Sequence, residues 1–248
     1  MARETLEQLE RILRSQGFGS KKDCRALIRQ GLVTVQGTLC DDPFAEFPIG
    51  GENAPLEFTV ADEPWFWQAQ ATLVLNKPKG VECSRNPIHH PSVMSLLPDP
   101  LTTRGVQPVG RLDEDTTGLL ILTDDGQLNH QLTSPKRKLP KVYEARCKHP
   151  ITDEMLTALL SGVVLHDDPE PIVAKGAERM DADLLKLTLL EGKYHQAKRM
   201  VAAVGNRVEA LHRHSMGNFT LPPDLSPGEW RWMTAQEIAD LRAEQPGN

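Results

Sequence analysis

Residues 110–118 read Gly-Arg-Leu-Asp-Glu-Asp-Thr-Thr-Gly and lead into the apolar run Leu119–Leu122. Gly110 permits a turn. In extended backbone Leu112 points one way, while Arg111 and Asp113 point the other. Asp113 is therefore either half of an ion pair with Arg111 or a carboxylate held on a loop for nucleophilic or acid–base work. Asp113 and Asp115 also have the makings of a glycosidase-type acid pair. An aromatic content of 5% offers no aromatic-rich groove for a sugar. Asp124-Asp125-Gly126 reads as a turn, because Asp and Gly suit turn conformations.

Two further segments carry reactive side chains. In "KVYEARC", 141–147, a strand places Lys141, Tyr143 and Ala145 on one face. Tyr143 on such a strand is by itself compatible with plain core. In "EGKYHQAKRMVAAVG", 191–205, a helix has the apolar stripe Ala197, Met200, Val201 and Val204. His195, Lys198, Arg199 and Ala202 share the neighbouring face, and Gly205 closes the helix. His212 and His214 have strand spacing for a metal pair, but no third ligand is evident and no metal is expected. Cys24, Cys40, Cys83 and Cys147 form no C-x-x-C pair. Free thiols in a reducing compartment are expected.

These segments need a scaffold, and 248 residues supply one large domain or a small one plus a larger one. Leu6, Leu9, Ile12 and Leu13 predict a helix over 5–16. Gly17-Phe18-Gly19 ends it, and Ser20 caps a second helix over 21–30 with Cys24, Leu27 and Ile28 on one face. Val33 and Val35 alternate with polar residues ahead of a Gln36-Gly37 turn. A compact module over 1–62 follows, then a linker over 63–70 with aromatic anchors. The second domain, 71–248, opens with a strand over 72–75 and a Pro-Gly turn. A loop rich in Pro and His spans 84–92. Strands are expected near 106–109, 119–123, 141–148, 171–178, 184–190 and 207–214, and helices near 127–133, 152–161 and 194–204. Strands outnumber helices and few crossover helices are available. The fold class is α+β, with a mixed, mostly antiparallel sheet and flanking helices. No apolar run approaches the ~20 residues of a membrane span, and the N-terminus lacks a signal-peptide core. The expectation is a cytoplasmic, monomeric protein with no membrane partner.

Net charge is −6, which taken globally argues against nucleic acid. The distribution argues otherwise. Basic residues crowd 11–30, 134–148 and 192–214, each against a single acid. Local basic surface decides where a phosphate backbone settles. Ser20, Lys21, Lys22 and Arg25 stand at a helix start, where N–H groups and the dipole favour phosphate. Lys77, Lys79, Arg111 and the 136–141 run with Lys141 are candidates to hold flanking phosphates.

The stretch "LERILRSQGFGSKKDCRALIRQGLVTVQG" resembles the S4 RNA-binding domain. "GRLDEDTTGL", "KVY" and "EGKYHQAKRM" resemble, in order, the three motifs of the pseudouridine synthases. "TDDG" and "LTSP" are similar to the S4-carrying branch of that family, and "EGKYHQAKRMVAAVGNRVEALHR" and "SPGEW" to its small-subunit ribosomal RNA type. The resemblance implies isomerisation of a specific uridine of 16S ribosomal RNA. It implies Asp113 as the carboxylate at the ribose, Tyr143 stacked on the base and Arg111 in support. It also implies that Lys198 pairs with Asp113 and offsets the cost of burying its charge. Relatives outside the branch often carry arginine at that place. His195 is expected to orient the site rather than act as a base. The isomerisation changes no redox state and loses no group, so no cofactor is expected. The partner is 16S ribosomal RNA or a small-subunit assembly intermediate. The alternatives are a synthase for 23S ribosomal RNA and a non-catalytic ribosome-assembly factor.

Overall fold

The computed structural model describes residues 5–50, 55–165 and 168–243. They belong to two compact units, one drawn from Met1–Ala71 and Leu97–Gln107, the other from Thr72–Leu96 and Pro108–Asn248.

The first unit contains β1 (Thr5–Gln8), α1 (Leu9–Ser15), α2 (Lys21–Arg29), β2 (Val33–Val35), β3 (Thr38–Leu39), β4 (Glu46–Ile49), β5 (Glu57–Val60), β6 (Glu63–Phe66) and α3 (Asp99–Thr103). Helical spacing puts Leu9, Ile12 and Leu13 of α1, with Cys24 and Ile28 of α2, into one core. Val33, Val35, Phe58 and Val60 cover it from the sheet β3-β2-β5-β6. The helix expected over 5–16 starts only at Leu9. Thr5–Gln8 instead pairs antiparallel with β4, and Leu6 is 66% exposed rather than part of the apolar stripe.

The linker expected over 63–70 is also corrected. Ala61 and Asp62 both take positive φ, 51° and 66°, and turn the chain into β6 against β5. Trp65 then packs edge-on against Phe18, with ring centroids 5.3 Å apart. The aromatic residues are thus part of the module's core. The segment 97–107 returns to this unit, where Arg104 donates to Gln16 Oε1 at 2.8 Å and to the Gln68 carbonyl at 3.1 Å. Gly17 lies so close to α3 that a Cβ would meet the Pro100 carbonyl oxygen at 2.0 Å.

The second unit contains β7 (Thr72–Lys77), the second residue of β8 (Gln107–Pro108), β9 (Thr116–Thr123), α4 (Gly126–Thr133), β10 (Lys141–Cys147), α5 (Asp153–Ser161), β11 (Val163–Leu165), β12 (Asp168–Ile172), β13 (Gly176–Arg179), β14 (Leu184–Leu189), α6 (Gln196–Ala203), β15 (Val208–Met216), β16 (Phe219–Thr220), β17 (Trp230–Trp232) and α7 (Ala235–Arg242). Its sheet runs β13-β14-β10-β15-β9-β7-β17, with β16 on β15 and β8 on β9. Along that path only β9–β15 is parallel. The architecture is α+β with a mixed, mostly antiparallel sheet. β7 is buried along its whole length and β9 nearly so, which is why both read as continuous apolar runs. Val74, Leu119 and Ile121 pack with Leu128 and Leu132 of α4 and Leu241 of α7. β17 and α7 lie beyond the elements read from the sequence. Among the described residues no helix is long and apolar enough to cross a membrane.

Candidate active site

The loop 110–115 stands at the start of the central strand β9, and four contacts fix it. Gly110 takes a positive φ of 69°. Leu112 is buried, and its N–H reaches Cys83 Sγ at 3.5 Å. A turn brings the Thr116 N–H to the Asp113 carbonyl at 3.1 Å. The fourth contact is Lys77, fully buried at the end of β7. Its Nζ donates to the carbonyls of Pro78 (3.0 Å), Glu114 (3.2 Å) and Thr116 (2.9 Å). Burial pushes the Lys77 amine below its ordinary pKa, against the opposing pull of nearby acidic groups that include Glu114, Asp115 and Asp113. Just downstream, Gly118 lets β15 approach. A Cβ there would meet the Arg213 carbonyl oxygen at 2.4 Å.

From this loop Asp113 meets two bases carried by the segment that starts α6. Lys198 Nζ donates to Asp113 Oδ2 at 3.1 Å and to Asp115 Oδ1 at 2.6 Å. His195 Nε2 lies 3.3 Å from Asp113 Oδ1. His195 holds a left-handed backbone, φ 47°, and its ring stacks on Tyr194 at 3.8 Å. Such a conformation persists only where the surroundings fix it. Here the buried Gln196 helps, its Oε1 accepting the Lys193 N–H at 3.0 Å. Burial works against the Lys198 charge, but its bonds to Asp115 and Asp113 outweigh that and raise its pKa. Burial likewise works against ionisation of Asp115, yet Lys198 holds that carboxyl below its usual range. Arg111 makes no ion pair with Asp113; the carboxylate is committed to α6 instead.

A cavity of about 70 Å³ opens beside Asp113. Tyr143 of β10, Leu189 and Leu211 give it apolar walls, while Arg111, Thr116 and His195 add polar ones. Two buried polar atoms here lack a partner: Thr116 Oγ1, on the cavity wall, and Nη2 of Arg213, the strand partner of Tyr143. Orphans of this kind are rare in native interiors and need an explanation.

Residues 71–203 match the family model described as RNA pseudouridylate synthase. The chain belongs to that family. It is 36% identical over 241 residues to the uncharacterized RNA pseudouridine synthase YtzG of Bacillus subtilis, covering 96% of this chain and 99% of that protein. It is 42% identical over 215 residues to ribosomal small subunit pseudouridine synthase A of Salmonella typhimurium, covering 86% and 90% respectively. A solved pseudouridylate synthase superposes with a TM-score of 0.67 at 33% identity, over 94% of this chain and 99% of that one. This chain is therefore an enzyme of the pseudouridine synthase family, and its site is to be read with RNA in mind.

The structure brings Asp113, Arg111 and Tyr143 to one cavity, ties Lys198 to Asp113, and leaves other candidates elsewhere. Lys77 is a correction. It is sealed inside and bound to three carbonyls, so it holds the Asp113 loop and cannot reach a phosphate. Lys79 is exposed. Lys141 is half-buried and donates to the Leu139 carbonyl at 3.1 Å; burial and the Arg213 charge push its amine down to about 8. In the first unit Ser20 and Asp23 form a reciprocal capping box at α2. Arg25 turns onto the buried Glu10 and lies over the Phe44 ring, and Lys21 reaches Glu10 at 3.6 Å. Lys22 is exposed. His212 is tied to Thr117 Oγ1 at 2.9 Å, and among the described residues no cluster of three or more His, Cys, Asp or Glu could hold a metal. Sequence reasoning passed over Asp115 and Thr116 as parts of this site. The signal for Asp115 was present, two residues from Asp113, but was weighed only as a glycosidase pair.

Proposed function

We propose that this synthase isomerises a specific uridine of 16S ribosomal RNA to pseudouridine, with Asp113 as the carboxylate at the ribose. The observation that carries the reading is the open carboxylate of Asp113, 3.1 Å from Lys198 and 3.3 Å from His195, on a cavity it shares with Tyr143. The reaction breaks N1–C1′ and forms C5–C1′. One proton leaves C5 and one arrives at N1, so neither redox cofactor nor co-substrate enters the balance. Asp113 begins it by attacking C1′ or by taking the 2′ proton to give a glycal. Lys198 and His195 each occupy one carboxylate oxygen and aim the group at the sugar. Tyr143 stacks on the detached uracil, a contact worth ~1–3 kcal/mol in single-strand binders. The unpartnered Thr116 hydroxyl is a hydrogen-bond group for the base or ribose. Likeness to relatives named ribosomal small subunit pseudouridine synthase A supports the 16S substrate.

The first unit is proposed as an S4-type RNA-binding module, with Ser20, Lys21 and Lys22 at the phosphate-facing start of α2. Arg25 supports that edge from Glu10. The test is an in vitro reaction on 16S ribosomal RNA, its assembly intermediate and 23S ribosomal RNA, with pseudouridine mapped by chemical labelling. Product at one site in 16S or its particle is the expected result. Product only in 23S overturns the substrate, and none in any RNA overturns the catalytic reading.

A further inference from the structure

The loop rich in Pro and His is a built object. Its neck is a parallel bridge between Glu82 and Ser92. The Glu82 N–H donates to the Pro91 carbonyl at 2.9 Å, and the Val93 N–H to the Glu82 carbonyl at 2.8 Å. The Ser92 hydroxyl closes on the Ser84 carbonyl. Within the loop, the Glu82 carboxylate accepts three consecutive backbone N–H groups: Ile88 at 3.3 Å, His89 at 3.1 Å and His90 at 3.0 Å. Those bonds, His89 first, hold the carboxyl below its usual range. One side chain thus fixes the path of the tip, as in a compact Ω-type loop.

That fixed tip points a large aliphatic group into water. Ile88 is 82% exposed, the highest value among the exposed large hydrophobic residues described. A lone exposed apolar residue is ordinary on a surface. This one differs in its support and its place. The root of the loop touches the catalytic segment, because Cys83 Sγ accepts the Leu112 N–H one residue before Asp113. Its far side does too, because His90 Nε2 lies 4.0 Å from Glu114 Oε2, one residue after Asp113.

We propose that Ile88 is a wedge for RNA: it enters the base stack beside the target uridine and fills the space left when that base turns toward Asp113. A base must leave its stack before chemistry on it can begin. Apolar side chains inserted at a base step are a known means of holding nucleic acid unstacked. A pre-formed tip does this without first ordering a loop, which is the role the Glu82 carboxylate serves. The inference rests on the reading of Asp113 as the group that acts on an everted uridine.

The experiment compares the unmodified chain with Ile88→Ala and Ile88→Leu on two RNAs from the 16S target region. One keeps the target uridine stacked and the other places it in an unpaired bulge. Single-turnover pseudouridine formation and the fluorescence of 2-aminopurine next to the target are read together. Ile88→Ala is expected to slow the stacked substrate about tenfold more than the bulged one and to reduce the fluorescence rise. Ile88→Leu restores both. Equal losses on the two RNAs, or no loss on either, overturn the wedge. If the unmodified chain makes pseudouridine in neither RNA, the catalytic reading fails instead. The fluorescence comparison on bound RNA then still decides the wedge, a rise unaffected by Ile88→Ala overturning it.

Discussion

Glu10 in the first unit and Asp113 in the second meet the same kinds of partner. Glu10 takes Arg25 and, at 3.6 Å, Lys21; Asp113 takes Lys198 at 3.1 Å and His195 at 3.3 Å. The difference lies in access and in the charge count. Glu10 is 3% exposed and faces two cations alone, and the Arg25 hydrogen bond leads in holding its carboxyl low. Asp113 is 30% exposed and must share Lys198 with Asp115. One cluster closes on itself and fastens two helices. The other keeps an acid facing a cavity walled by Tyr143. Residue types alone do not separate a brace from a site; accessible, incompletely neutralised charge does.

The largest effect that tests this contrast is Asp113→Asn. It should lower the rate of pseudouridine formation by about 10³-fold or more and leave the thermal midpoint unchanged. Glu10→Gln should do the opposite to stability, lowering the midpoint as Arg25 and Lys21 lose their acid. Thermal unfolding together with single-turnover rates reads both. An active Asp113→Asn chain, or one that unfolds early, breaks the contrast.

Lys198→Met sharpens it next. In the parent, Asp115 titrates below its ordinary value of 3.8 and Lys198 above its ordinary 10.5. The depressed acid adds stability that is present above pH 3.8 and lost as pH falls through its folded value. The raised base adds stability that is present below pH 10.5 and lost as pH rises past it. Both contributions are in force across neutral pH. Without the lysine Asp115 loses the partner that holds its carboxyl low, and its ionisation becomes harder. The acid limb of the pH–rate profile should therefore move to higher pH, with a rate loss of about 10²-fold at neutral pH. An unmoved limb separates Lys198 from the carboxylates. Tyr143→Ala comes third, at about 10–100-fold for ~1–3 kcal/mol of lost stacking, while Tyr143→Phe stays within about threefold. Equal losses for Ala and Phe would replace stacking with a role for the hydroxyl.

The candidate site was legible through the likeness of three short segments to the family's motifs; spacing alone left Asp113 as half of an ion pair or a carboxylate, and Tyr143 as plain core. The strands β7, β9, β10, β14 and β15 were legible from their own apolar patterns. Lys77 was misread because its fate is decided by three carbonyls that only the folded sheet brings together. β6 was hidden by its Ala61-Asp62 turn, which lacks the glycine that usually announces a hairpin. β1 was absorbed into α1 because Leu6 fits the helical stripe by spacing alone. α7 was within reach, since Thr234 and Glu237 spell a capping box that the structure contains. The carboxylate that organises 82–92 was not, because Glu82 meets its three N–H partners six to eight residues away.

The smallest effect returns to the first unit, proposed to bind RNA, and separates its cations. Arg25 is bound to Glu10 and lies 4.9 Å from the Phe44 ring centroid, so it is committed within the fold. Lys22 is exposed on the first turn of α2. An exposed lysine that meets a phosphate releases a counterion, and its loss lowers the slope of log affinity against log salt by about 0.7–0.9. Lys22→Ala should show that change with an unaltered thermal midpoint. Arg25→Ala should lower the midpoint, because it leaves the buried Glu10 with Lys21 alone, and should change the salt slope less. Affinity for a 16S fragment at three or more salt concentrations, measured for both variants, distinguishes them. If Arg25→Ala changes the slope and Lys22→Ala does not, the cation held inside the fold is the one that meets phosphate, and the division between brace and contact in this unit is reversed.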